Sequence, residues 1–122
     1  MIATIIVLSD INNAPTRLGA LIDGITTSAP SALVVVAAII PTTNDGTNQR
    51  VQTYNSALRN LVSARAGNGK HVVFLDNYAT ISQNASYKTA LMVDNLHPNA
   101  AGYVALGRAF YGAIGALLPA AP

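Results

Sequence analysis

The chain contains no cysteine among its 122 residues. This absence excludes disulfide scaffolds, zinc fingers, iron–sulfur sites and thiol catalysis. A domain of this length buries roughly two thirds of the surface that its unfolded chain exposes. The chain is therefore long enough to fold without a metal or a disulfide, and we expect one domain over residues 1–122.

Charged side chains are also scarce, at 10% of the residues, and the formal net charge is only +2. The seven basic residues are scattered along the sequence. No run of them could neutralise several phosphates together, so the sequence disfavours nucleic-acid binding.

Long apolar runs are missing as well. The longest, Ala32 to Ile40, has nine residues, whereas a membrane helix needs about 20. The apolar segment Met1 to Leu8 has no charged region before it and no small-residue cleavage site after it. We expect no membrane span and see no secretion signal in this chain. Its localisation stays open, and it is secreted if a longer parent carries a signal peptide.

Apolar runs of strand length alternate with patterns of helical period. The predicted strands are Ile2 to Leu8, Ala32 to Ile40 and His71 to Asp76. The predicted helices run from Asn13 to before Pro30, from Asn44 to Gly67 and from Pro98 to Pro119. Between the last strand and the last helix, Asn77 to Asn95 shows no clear period and is predicted to be a loop.

Each predicted helix has one apolar face. The three faces are Leu18, Leu21, Ile22 and Ile25; then Val51, Tyr54, Leu58, Leu61 and Val62; then Tyr103, Leu106, Phe110, Ile114 and Leu117. The order βαβαβ-loop-α, with continuous apolar strands, predicts a parallel sheet of about three strands in a three-layer α/β/α arrangement.

Candidate site residues follow the predicted strands, because ligands of open parallel sheets bind outside the carboxyl ends of the strands. They include Asp10 and Asn12 after the first strand and Pro41 after the second. Asp76 ends the third strand and Tyr78 follows it. The alternative role of Asp76 is to cap the loop, and that of Tyr78 is to pack or to form part of a lid.

The most distinctive cluster is Asp94-Asn95-Leu96-His97-Pro98-Asn99. An Asp three residues before a His in a non-helical turn can accept the Nδ1 proton, which leaves Nε2 to act as a base. The alternative is that Asp94 and His97 only cap the final helix.

The stretch Val93 to Tyr103, with its Asp-x-x-His-Pro and Gly-Tyr, resembles the last conserved block of the SGNH, or GDSL-type, hydrolases. Three upstream stretches are similar to the middle portion of that family: Ala14 to Asp23, Val34 to Pro41 and Arg50 to Asn55. The resemblance implies a flavodoxin-like, SGNH hydrolase-type fold. It also implies ester hydrolysis by a Ser-His-Asp triad, with His97 as base and Asp94 as its orienting carboxylate, and no metal or cofactor.

The substrates implied are small acyl esters, acetylated sugars among them, and Asn95 is a further candidate for contact with substrate. Other blocks of the family differ here. No Gly-Asp-Ser occurs, and Ser9 stands before Asp10 where the family has its oxyanion Asn. The chain therefore resembles a truncated, carboxyl-terminal portion of such an enzyme, and we expect weak activity or none.

Ser9 is a candidate substitute nucleophile. Its Oγ would have to lie near 3 Å from Nε2 of His97, or somewhat farther in an empty site. The alternative role is a hydrogen bond from the Ser9 side chain to the backbone as the chain leaves the strand. A second class of function also stays open, a non-catalytic α/β binding module or a degenerate fragment.

The segment Ile2 to Leu8 contains no Lys, no Pro and no charge. Such residues normally prevent an exposed strand edge from pairing with another chain. We therefore expect self-association through this edge or poor solubility, measured by size-exclusion chromatography. A soluble monomer at high concentration would contradict this expectation.

Overall fold

A computed structural model describes residues 12–118. In chain order the elements are α1 (Ala14–Ser28), β1 (Val34–Ala37), α2 (Asp45–Gly67), β2 (Val72–Leu75), α3 (Asn77–Ser82), α4 (Tyr87–Ala90) and α5 (Ala100–Ile114), followed by a 3₁₀ turn (Gly115–Leu117). The predicted strand Ile2 to Leu8 lies outside the described residues, as do Ser9 and Asp10 and the proposed association edge.

The two described strands are parallel, with Val34 opposite Val72 and Ala37 opposite Leu75. Both lie inside the predicted runs, but β1 is shorter than Ala32 to Ile40. The Asn55 side chain explains why the ladder stops: its Oδ1 accepts from the Ile39 N–H at 2.9 Å, and its Nδ2 donates to the Ile39 carbonyl at 2.8 Å. With both backbone groups of Ile39 bonded to α2, that residue cannot pair with β2.

Helix α2 supplies much of the main core. Its predicted apolar face is confirmed, because Val51, Tyr54, Leu58 and Val62 are buried and Leu61 packs against them. The cluster also contains Ala14 and Ile22 of α1 and Val36 and Val72 of the two strands. Since strand side chains alternate between faces, α1 and α2 together cover the face that bears Val36 and Val72.

Helix α1 presents a different stripe from the predicted one. Ile22 is buried, but Leu21 is 58% exposed and Ile25 is 37% exposed. The helix turns Gly19 towards α2, where an added Cβ would lie only 2.8 Å from the Arg65 guanidinium. The prediction was therefore wrong for Leu21 and Ile25, because close packing on the glycine rotates their side of the helix outward.

The stretch predicted to be a long loop contains two short helices, so that prediction was wrong in part. Asp76 begins α3 by accepting a hydrogen bond from the Ala79 N–H at 2.9 Å. The two helices have six and four residues, which is too short to show a helical period in sequence. Their side chains Ile81 and Tyr87 form a second apolar cluster with Met92.

Helix α5 is most closely packed at its first turn, and Leu106 of its predicted face packs against the second apolar cluster. Asn99 caps it by accepting from the Gly102 N–H at 3.0 Å, and Gly102 is its one buried residue. The predicted face is only partly covered, because Tyr103 is 58% exposed and Leu117 is 57% exposed.

Gly102→Ala should lower the free energy of unfolding, because an added Cβ would lie 2.3 Å from the Leu91 carbonyl oxygen and 2.8 Å from the Pro98 Cβ. Overpacking of this kind costs about 1–3 kcal/mol. Gly107→Ala is the matched control on the same helix, since nothing lies within 4 Å of its added Cβ, and it should be neutral or stabilising by about 0.5–1 kcal/mol. Chemical denaturation of both variants measures the difference, and equal losses would contradict the assignment.

Candidate active site

The cluster Asp94 to His97 forms a tight turn between paired backbone segments. The Val93 N–H donates to the His97 carbonyl at 2.9 Å, and Met92 and Pro98 form an antiparallel bridge. Inside the turn, Asp94 Oδ1 accepts from the backbone N–H groups of Leu96 and His97, each at 2.7 Å. The aspartate therefore holds the loop closed.

The same carboxylate contacts the histidine ring. Asp94 Oδ2 lies 2.8 Å from His97 Nδ1, and Oδ1 lies 3.1 Å from it. The backbone N–H of Leu96, followed by the His97 side chain and the His97 N–H, lowers the pKa of Asp94 from 3.8 to about 2. The carboxylate is thus charged at neutral pH and accepts the Nδ1 proton. Nε2 of the neutral ring then carries the lone pair.

The turn is fixed to the segment that follows β1. Thr43 Oγ1 donates to Asn95 Oδ1 at 2.7 Å, and the Thr43 N–H donates to the Asn95 carbonyl at 3.2 Å. Asn95 is therefore part of the scaffold of the turn. Its Oδ1 is engaged by Thr43, and its side-chain N–H groups have no hydrogen-bond partner among residues 12–118.

A buried polar network holds the segment that carries Thr43. The Asn48 side chain accepts from the Thr42 N–H at 2.7 Å and donates to the Thr42 carbonyl at 2.9 Å. The Tyr87 hydroxyl donates to the same carbonyl at 2.8 Å. We refer to residues 38–43 as the post-β1 segment. Together with the two hydrogen bonds between Asn55 and Ile39, these bonds attach that segment to α2 and α4.

The sequence pattern did not identify Asn48 or Asn55 as residues that position the site. One signal was present for the two asparagines, which are seven residues apart on the apolar face of α2. An amide at such a position needs buried hydrogen-bond partners. Here the partners are the backbone groups of a neighbouring segment.

The other candidate residues have different positions. Pro41 is fully buried, so its ring supports the segment from inside and presents no surface to a substrate. Asn12 is exposed in the turn before α1 and, within residues 12–118, makes no hydrogen bond with the Asp94 to His97 turn. Asp76 caps α3 and pairs with Arg59.

Residues 12–118 contain neither a candidate metal site nor a candidate membrane helix. No group of three or more His or Asp residues is placed to hold a metal ion. No helix there is long and apolar enough to cross a membrane.

Comparisons with known proteins bear on the family and the fold of the chain. The model of the GDSL-like lipase/acylhydrolase family matches residues 6–105. Among solved structures, a candidate platelet activating factor from Streptococcus pneumonia is similar, with 23% identity and a TM-score of 0.74 over 87% of this chain. The match covers 52% of that structure, so the chain spans about half of its length. A search of curated proteins found no match. The predicted α/β fold class is confirmed.

The hydrogen bonds that Asp94 accepts should be lost in acid. Because the folded-state pKa is lowered from 3.8 to about 2, these bonds stabilise the turn fully above pH 3.8 and disappear as the pH falls through about 2. NMR titration of the Leu96 and His97 amide protons measures the midpoint. Asp94→Asn should abolish that titration, and a midpoint near 3.8 in the unchanged chain would contradict the assignment.

Proposed function

Because the chain belongs to the GDSL-like lipase/acylhydrolase family, we propose that it acts in the hydrolysis of carboxylic esters. His97 is the general base in this proposal, and Asp94 is the carboxylate that orients it. The observation that supports these roles is the contact of 2.8 Å between Asp94 Oδ2 and His97 Nδ1. This contact directs the basic Nε2 away from the carboxylate.

The chemistry requires a hydroxyl nucleophile. Nε2 of His97 accepts the proton of that hydroxyl as its oxygen attacks the ester carbonyl carbon, and then returns the proton to the oxygen of the departing alcohol. The negative charge of Asp94 stabilises the imidazolium formed between these two steps. Hydrolysis of the resulting acyl intermediate repeats the sequence with water.

Ser9 remains the candidate nucleophile within this chain, because no Gly-Asp-Ser occurs in the sequence. Loss of the nucleophile from a triad removes on the order of 10⁶ from kcat and leaves about 10³–10⁴ over the uncatalysed rate. We therefore propose weak turnover at most for the 122-residue chain.

The proposed substrates are small acyl esters, including acetylated sugars. The His97 side chain is 61% exposed, which makes the base accessible to an ester group carried on a bulky alcohol. A short acyl group on a large, hydrated carrier suits such an open position.

A non-catalytic role is supported by a different observation. Asp94 Oδ1 accepts two backbone N–H groups, so the carboxylate would shape the turn even if no reaction occurred there. In that second candidate function the turn is part of a binding module. Measurement of ester hydrolysis distinguishes the catalytic role from the binding module.

His97→Ala should abolish turnover of a short-chain aryl ester such as 4-nitrophenyl acetate, because the Asp94 carboxylate, with its pKa lowered to about 2, is too weak a base to replace the imidazole. Asp94→Asn should also reduce the rate, by up to about 10⁴ in a complete triad, since the ring would adopt the wrong tautomer. The hydrolysis rate is followed by the absorbance of nitrophenolate.

His71→Ala is the matched control, because His71 is exposed and precedes β2 at the amino end of the strand. It should leave the rate unchanged. Absence of turnover in folded protein, or equal rates for the two histidine variants, would favour the binding module.

A further inference from the structure

A depression lies beside the post-β1 segment, between α2 and the start of α3. It is partly open and has a volume of about 190 Å³. It is lined by six residues that each carry a polar group, and their apolar atoms form part of the surface: Gln52, Asn55, Ser56, Arg59, Asp76 and Tyr78. We refer to these six residues as the α2–α3 groove.

The groove lies at the same edge of the sheet as the Asp94 to His97 turn. Asp76 directly follows β2, and Asn55 binds the backbone of Ile39 beyond the end of β1. The carboxyl edge of a parallel sheet is where ligands bind in open α/β folds. One extended substrate at this edge can therefore meet both features.

The charges around the groove are paired. Arg59 forms an ion pair with Asp76, and its guanidinium also lies 4.6 Å from the centre of the Phe74 ring. Near Tyr78, the Lys88 ammonium is 2.7 Å from Asp45 Oδ1. With each cation matched by an anion, the groove favours an uncharged ligand over a phosphate or a carboxylate.

Several hydrogen-bonding groups of the groove remain available. Gln52 Nε2 donates to the Tyr78 hydroxyl at 3.0 Å, while Gln52 Oε1 and Ser56 Oγ have no hydrogen-bond partner within the described residues. Burial raises the pKa of Tyr78, so its hydroxyl stays a neutral donor. Adjacent donors and acceptors of this kind match the neighbouring hydroxyl groups of a sugar ring.

We propose that the α2–α3 groove binds one neutral sugar ring of the substrate. Pockets for drug-sized ligands measure about 300–1,000 Å³, so this smaller volume suits a single ring. The Tyr78 ring offers an apolar surface beside the polar groups. The link to catalysis rests on the proposed function: the sugar in the groove belongs to the alcohol part of the ester, and the acyl group lies at His97.

Binding is tested on the whole chain by NMR titration with methyl β-D-glucopyranoside, a neutral pyranoside. The expected result is saturable shift changes at the Gln52 and Asn55 side-chain amides and at Arg59 Nε. Glucose 6-phosphate is the charged comparator and should bind more weakly. Absence of shifts in the groove up to the solubility limit of the sugar, or tighter binding of the phosphate, would overturn the proposal.

Two substitutions locate the site. Gln52→Leu and Tyr78→Phe each remove a polar group and should raise the Kd roughly threefold to tenfold, the effect of one lost hydrogen bond. The matched controls are Gln49→Leu, one turn earlier on α2, and Tyr111→Phe, which is 77% exposed on α5. Equal effects of a substitution and its control would contradict the assignment. If a groove variant fails to fold, the NMR shift changes that the sugar causes in the unchanged chain show whether the groove is the binding site.

The outcome is independent of ester turnover. Sugar binding in the groove of His97→Ala would support the inference even if no ester is hydrolysed. Conversely, ester turnover that depends on His97, with no sugar shifts in the groove, would overturn the inference and leave the proposed function intact.

Discussion

The side-chain amides of Asn48 and Asn55 fix the post-β1 segment by hydrogen bonds to its backbone. The position of the Asp94 to His97 turn depends on these hydrogen bonds. Asn55 occupies both backbone groups of Ile39, and Asn48 does the same for Thr42. Thr43 comes next in the chain and bonds to Asn95 inside the turn. Hydrogen bonds joined by short steps of backbone thus connect the interior of α2 to the side chain that we assign as the base.

Such bonds contribute modestly to net stability, about 0.5–1.5 kcal/mol each, but leaving a buried partner unsatisfied costs about 1–3 kcal/mol. Their main effect is therefore on geometry. An alternative path for the post-β1 segment would leave buried amides without partners, so the segment has one favourable position. The Asp94 carboxylate has a similar double effect, because its Oδ1 closes the turn while its Oδ2 orients the ring.

The sequence was sufficient to predict features that depend on local pattern. The buried stripe of α2, the two described strands and the Asp94–His97 pair follow from periodicity, β-branched content and short spacing. Features set by tertiary contact were not predictable in this way. Leu21 and Ile25 are exposed because Gly19 packs on α2, and α3 and α4 are too short to produce a period. Thr43 joins the site through a bond to Asn95, 52 residues away in the chain.

The uneven packing of α5 gives the helix a gradient of local stability. Its first turn is fixed by the Asn99 cap and by the close approach of Gly102 to Leu91, while its last turns expose residues such as Tyr111. Opening of a helix begins where buried contacts are fewest. Fraying of α5 should therefore start at its carboxyl end and stop before it reaches Pro98. His97 then keeps its orientation while the backbone amide hydrogens at the far end of the helix exchange with solvent.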